Sequence, residues 1–390
     1  MNRRTFLSTA STAALAASLA APARAQDKKY KACIIGDSDQ GGYGHDMHLA
    51  FALRDDVALV GLADPNEEGR AKRAAECGAE RSYASYQEML EKEKPDLVAI
   101  GPRWTINHKD YLTACVAAGA HGFMEKPLCT DLAEADAMVA MVKEKNLKWS
   151  IAFNFRVTPT IAHVKAMIWE KELVGSLLEI RGRGKEDARA GGEDLIVLGT
   201  HIFDMMRYFA NDPLWCAADI TQNGKPATPA DVREATEPLG PVLGNRIHAM
   251  YGFEKGVAGH FSSMRTKDGD GGRWGIQVLG SKGVISIGTG VEPNVWWLND
   301  STWNGAGRDS KWERLPEAPA YKVVDQAKER HQILVNDLLA AIEADREPVA
   351  SLNDGLKSQE MVQAVYEAYT QGRRVALPLE QRDHPLKRWA

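Results

Sequence analysis

Between residues 31 and 153 the chain alternates short apolar runs with stretches of helical periodicity, and this alternation constrains its fold more than any other feature. The runs fall at 31–35, 57–62, 96–100, 120–124 and 148–153, and each is too short to be a buried helix. Strands buried on both faces have this composition, and strands separated by single helices lie parallel. A doubly wound parallel sheet is therefore expected, with helices at 67–77, 86–91, 107–118 and 132–145. A further helix is expected to open near Tyr43 and run through Leu49 and Leu53. From residue 177 the texture changes. Runs at 177–183, 215–222, 246–253, 257–264, 274–279 and 284–287 read as strands of an open sheet, with hairpin turns at 254–256 and 280–283. Helices are expected at 161–171, 193–209, 331–342 and 355–369.

A chain of 390 residues with 44% hydrophobic and 26% charged residues is long enough for two domains with separate cores. Its formal charge of −5, with no basic block, argues against nucleic acid or an anionic membrane as partner. The first 26 residues are expected to lie outside the fold. Arg3-Arg4 precedes a weakly apolar Ala/Ser/Thr/Leu run, and Ala23-Arg24-Ala25 supplies a small-x-small cleavage site. This resembles a twin-arginine export signal, which places the mature chain in the periplasm, free of the membrane after signal removal. The five cysteines are widely spaced, without C-x-x-C, and read as buried thiols, with no metal site.

The run ending Phe123-Met124-Glu125-Lys126-Pro127 has the form of a strand that stops at the carboxyl edge of a sheet, where ligands bind in open α/β folds. An ammonium there polarises a hydroxyl or carbonyl oxygen, and desolvation lowers its pKa toward neutrality. Glu125 is placed to orient Lys126 or set its charge. Earlier, the run at 31–35 leads into Gly36-Asp37-Ser38-Asp39-Gln40-Gly41-Gly42, the strand–turn–helix setting of a dinucleotide fingerprint. Ser38 replaces the middle glycine. Asp64 closes the next strand, about 20 residues past Gly41, where an acidic side chain takes ribose hydroxyls. A carboxylate there repels the extra phosphate of NADP, so NAD is the expected cofactor.

The order Gly36, Ala63-Asp64-Pro65, Pro102 with His108, Glu125-Lys126-Pro127, Phe153 with Arg156, and Gly191-Gly192…Thr200-His201…Asp204 resembles the Gfo/Idh/MocA oxidoreductases from Lys31 to Leu379. The resemblance implies a Rossmann domain at 27–156, then an α/β domain with a large open, mostly antiparallel sheet at 157–380, and a tail at 381–390. It implies cofactor contacts from Pro102, Glu125 and Lys126, with Lys126 touching both nicotinamide and substrate, while His108 either reaches the cofactor or neighbours a helix N-cap. Arg156, Asp194 and His201 join Lys126 as substrate-binding residues, and a homo-oligomer associated through the open sheet is expected.

If residues 193–209 form one helix, Asp194, Val197, His201, Asp204 and Tyr208 share a face, and His201 is the candidate general acid/base. The family's dehydrogenases usually carry an aspartate four residues before this histidine, and here that position is Val197. Asp194, Glu193, Glu186 and Asp187 are the candidate substitutes. Five late tryptophans, Trp274, Trp296, Trp297, Trp303 and Trp312, suit either sugar platforms or a core and interface role. The expected reaction is hydride transfer on a sugar, cyclitol or related polyhydroxy compound. The alternatives are a glycoside hydrolase working by transient oxidation, and a non-catalytic sugar- or nucleotide-binding protein.

Overall fold

The computed structural model describes residues 30–266, 274–290, 292–305, 309–319 and 322–389, so the expected export signal lies outside the described residues. The first domain is built on β1 (Tyr30–Ile35), β2 (Val57–Ala63), β3 (Arg81–Tyr83), β4 (Leu97–Ile100), β5 (His121–Met124) and β6 (Trp149–Ile151). All pairs are parallel, in the order β3-β2-β1-β4-β5-β6. Helices α1 (Glu67–Cys77), α2 (Tyr86–Glu93), α3 (His108–Ala117) and α4 (Leu132–Glu144) connect them, close to the expected bounds. Every side chain of β4 is fully buried, as the apolar run requires.

One expected helix is missing. After β1 the chain makes a loop closed by an antiparallel bridge between Asp37 and Gly42, then a single 3-10 turn at Met47–Leu49. Gly41, Gly42 and Gly44 all have positive φ, at 90°, 66° and 55°, and a right-handed helix cannot propagate through such residues.

The second domain carries α5 (Pro159–Trp169), β7 (Leu177–Arg183), α6 (Gly192–Val197), α7 (Gly199–Ala210), β8 (Trp215–Gln222) and β9 (Lys225–Pro226). A two-stranded ribbon follows, β10 (Arg233–Glu234) with β11 (Pro241–Val242). Then come β12 (Arg246–Gly252), β13 (Ala258–Met264), β14 (Gly275–Gly280), β15 (Val284–Gly288), β16 (Asn294–Leu298) and β17 (Trp312–Arg314). Helices α8 (Gln326–Glu343) and α9 (Leu352–Thr370), β18 (Val375–Ala376) and α10 (Pro385–Trp389) complete the chain. The large sheet runs β17-β16-β15-β14-β7-β13-β12-β8-β18 with β9 on β8, and only the β7–β13 pair is parallel. Alternation along β12 buries Ile247, Ala249 and Tyr251 and exposes Arg246, His248 and Met250, so one face packs and the other is solvated.

The helix expected over 193–209 is two helices broken at Leu198. The stretch expected as a tail folds back: α10 packs on α9, His384 is buried, and the Arg382 guanidinium spans Asp136 and Glu360. Among the described residues no helix is long and apolar enough to cross a membrane.

Arg156 joins the two domains. Its guanidinium meets Asp354 on α9 at 2.5 Å and Asp204 on α7 at 3.1 Å, and donates to the Val349 carbonyl at 3.1 Å. Burial raises the Asp204 carboxyl to about 7, Asp354 adds to the rise, and Arg156 and Arg207 oppose it. A folded-state pKa above the unfolded one means that the folded chain binds the extra proton, so stability falls as pH rises from about 4 toward 7. Asp204→Asn lacks this loss. Urea unfolding across that interval is expected to show the variant gaining on the parent as pH rises.

Candidate active site

The parallel strands present their carboxyl ends to the second domain, and Lys126 stands just past the end of β5. Only 6% of it is exposed. Its ammonium crosses the domain boundary and donates to the carbonyl of Val197, at the end of α6, at 3.0 Å. Burial pushes its pKa below the ordinary lysine value, while Glu125 pulls the other way. The Lys126–Pro127 bond is cis.

Glu125 is wholly buried, and its oxygens are spent within the chain. Oε2 accepts from the Lys126 backbone N–H at 3.0 Å, and Oε1 accepts from the His45 backbone N–H at 3.3 Å. The His45 ring Nδ1 lies 2.8 Å from the same oxygen. Burial opposes the Glu125 charge, but the His45 bond and the nearby Lys126 charge outweigh it and hold the carboxyl far below its usual range. Its expected contact with the cofactor therefore gives way to a supporting position beneath Lys126. His331 on α8 lies with Nε2 2.8 Å from the His45 carbonyl oxygen, and burial lowers its pKa to about 4, so the neutral ring donates there.

His201 lies in the first turn of α7, one turn past Val197. Its ring packs among Phe155, Phe153 and Trp274, with centroid distances of 4.9, 5.6 and 5.7 Å. Burial holds its pKa well below the ordinary value, and Lys126 and His45 push the same way. Nδ1 is buried without a hydrogen-bond partner. Asp194 does not supply the missing carboxylate. It accepts from Ser263 Oγ at 2.5 Å and from the backbone N–H groups of Lys185 and Glu186 at 3.2 and 3.0 Å, which ties the β7–α6 loop to β13. The break at Leu198 separates Asp194 from the His201 face that one continuous helix would have given it. Arg156, expected beside substrate, lines a separate cavity of about 680 Å³ with Lys165, Arg207 and Lys357, away from Lys126.

On the nucleotide side, Gly36, Asp37, Asp64, Ser85, Tyr86 and Asn107 line a cavity of about 300 Å³. It opens where the strand order reverses between β1 and β4, the usual place for a dinucleotide's nucleoside. Asp64 and Asp37 on its wall suit ribose hydroxyls and oppose an added phosphate. These residues fit an NAD nucleoside. The phosphate-binding part differs from the sequence expectation. Asp64 accepts from Ser38 Oγ at 2.6 Å, Tyr43 Oη at 2.8 Å and the Asn66 backbone N–H at 2.9 Å. Gly41 packs against the backbone of Arg103 and Trp104, and the loop N–H groups of Asp37, Gln40 and Gly42 bond within the loop. No α-helix follows β1 directly, and the helix end against this loop is that of α1, whose Gly69 packs on Ser38. His108 is fully buried, with ring nitrogens 2.7 Å from the Pro102 carbonyl and 3.0 Å from that of Leu128. It ties two loops together instead of reaching a cofactor.

His45, His331, Tyr43 and Phe155 escaped the sequence reading, and Trp274 stood out only as one of five indoles. Residues 43–53 read as a helix, which hid the one usable signal, a histidine inside a glycine-rich loop.

Strand order and cavity position define a dinucleotide-binding α/β protein with a second, open-sheet domain. The chain belongs to the Gfo/Idh/MocA oxidoreductase family. The profile described as an oxidoreductase family, NAD-binding Rossmann fold, matches residues 31–153, and that of its C-terminal alpha/beta domain matches residues 183–377. The chain is 28% identical over 250 residues to levoglucosan dehydrogenase of Pseudarthrobacter phenanthrenivorans, covering 57% of this chain and 63% of that one. It is 25% identical over 219 residues to myo-inositol 2-dehydrogenase of Thermotoga maritima, covering 52% and 65%. In both cases the matched stretch is less than two thirds of the relative's length. The fold of levoglucosan dehydrogenase in complex with NADH and levoglucosan superposes with a TM-score of 0.72 at 22% identity, over 90% of this chain and 100% of that one.

Gly44 is the residue that lets the loop lie on Glu125, since a Cβ there would collide with that buried carboxylate. Gly44→Ala adds this clash to a backbone at φ 55°, and is expected to destabilise by about 1–3 kcal/mol in urea unfolding.

Proposed function

We propose that the protein is an NAD-dependent oxidoreductase that moves a hydride between nicotinamide and a hydroxyl-bearing carbon of a sugar, cyclitol or related polyhydroxy compound. The observation that carries this reading is Lys126, a buried ammonium at the carboxyl edge of the parallel sheet, held against the other domain at Val197. The names of the relatives, levoglucosan dehydrogenase and myo-inositol 2-dehydrogenase, support a polyhydroxy substrate. NAD bound along the strand ends would accept or supply the hydride. Gly36, Asp37 and Asp64 would hold its nucleoside, and the acidic wall favours NAD over NADP. Lys126 binds and polarises the substrate oxygen. Burial lowers its pKa and so eases release of a proton. His201, neutral in its aromatic surroundings, orients the substrate and offers one nitrogen to its hydroxyl.

The twin-arginine sequence at residues 3–4 supports export to the periplasm, with the cofactor retained through export. The solvated face of the large sheet supports self-association. A second reading, hydrolysis of a glycoside through transient oxidation, elimination and hydration, is favoured by one feature: Val197 stands where a carboxylate would support His201.

Purified protein is expected to show nicotinamide absorbance, or to bind added NAD, and to form NADH with one of levoglucosan, myo-inositol or D-apiose. Lys126→Ala is expected to lower kcat by about 10²–10⁴-fold, which a mere binding protein would not reveal. Release of phenol from an aryl glycoside, without net NADH formation, selects the hydrolase instead. Absence of nicotinamide and of any affinity for it overturns both.

A further inference from the structure

His201 is a poor carrier of protons to solvent. It is 9% exposed, its Nδ1 has no partner, and an aromatic shell surrounds it. Lys126 is equally enclosed, at 6%. A proton that leaves a substrate hydroxyl at Lys126 needs another way out. The wall opposite α7 provides one. There the His45 ring is bonded to the buried Glu125 carboxylate and is 46% exposed, while His331 and His108 are buried. A carboxylate only accepts, so His45 Nδ1 is the donor and the neutral ring keeps Nε2 as a proton acceptor. Two further contacts fix this pose. The His45 backbone N–H also donates to Glu125, and His331 holds the His45 carbonyl. Glu125 in turn accepts from the backbone N–H of Lys126, so the His45 ring and the Lys126 backbone share one support.

We propose that Glu125 and His45 form the carboxylate–imidazole pair of this site, and that His45 is a positioning residue that carries the proton between Lys126 and water. This rests on the oxidoreductase reading above. Bound oxidised NAD would take up the hydride as the carbinol C–H bond breaks. The O–H bond breaks with its proton passing to the Lys126 amine. That proton then moves to His45 Nε2 and to solvent, restoring the amine, and the balance with bound NAD would be carbonyl product, NADH and one proton. The charged and titratable groups around His45 are Glu125 and Lys126 at the end of β5, His331 and Arg330 on α8, His201 on α7, and its neighbour Asp46.

The test uses the full chain with NAD and the polyol of the panel that it oxidises fastest. His45→Gln keeps an N–H donor for Glu125 but carries no proton. It is expected to lose about 10²-fold in kcat, to keep KM within about twofold, and to lose the parent's decline in kcat toward low pH. His45→Ala is expected to lose as much and to recover turnover on addition of free imidazole, which the exposed position admits. Recovery of this kind separates proton transfer from a purely structural role. Parental kcat in His45→Gln overturns the proposal, as does loss in both variants with an unchanged pH profile and no imidazole effect. A parent chain that forms no NADH with any panel polyol overturns the oxidoreductase reading itself.

Discussion

The contact between the Lys126 ammonium and the Val197 carbonyl is the interaction on which the site depends. It spans the two domains, one end fixed past β5 and the other at the last residue of α6. A buried ammonium without a partner costs several kcal/mol, so the carbonyl at its tip and the carboxylate beside it are requirements of its burial. The same burial lowers its pKa, which turns a structural lysine into one able to exchange a proton. Arg156 reinforces the junction from behind through Asp204 and Asp354, and so keeps α7, with His201, at a fixed distance from the strand ends.

Around that contact the charges are divided between two walls. On the α7 side His201 sits among aromatic rings and stays neutral. On the β5 side Glu125 stays ionised because His45, two backbone N–H groups and Lys126 surround it. The loss of a carboxylate at Val197 removes support from one imidazole, while the glycine-rich loop supplies a supported imidazole on the other wall. The loop reaches that place because Gly44 has no Cβ, and the positive φ of Gly41, Gly42 and Gly44 keeps a helix from following β1.

Much of the architecture was legible beforehand. The apolar runs marked five of the six parallel strands, and α1 and β7 fall where expected to the residue. β3 was missed because Arg81-Ser82-Tyr83 is short, polar and at the sheet edge. Boundaries failed in the loop after β1, where positive-φ glycines decide the backbone, and at Leu198, where the expected helix divides in two. Among site residues, Lys126 reaches the end of α6, one turn before His201, and Gly36 and Asp64 share a cavity wall. Arg156, Asp194, His108 and Glu125 are polar groups whose partners lie elsewhere in the fold, and no local pattern identifies those partners.

The sequence by itself determined the order of strands and helices, the parallel character of the first sheet, and the lysine at its carboxyl edge. Periodicity and apolar runs are local properties, and a strand's end is written in the residues that follow it. Only the tertiary structure decided which imidazole has a carboxylate. Residues 45, 125 and 201 are far apart along the chain, and their meeting depends on a loop's dihedral angles and on how one domain seats against the other.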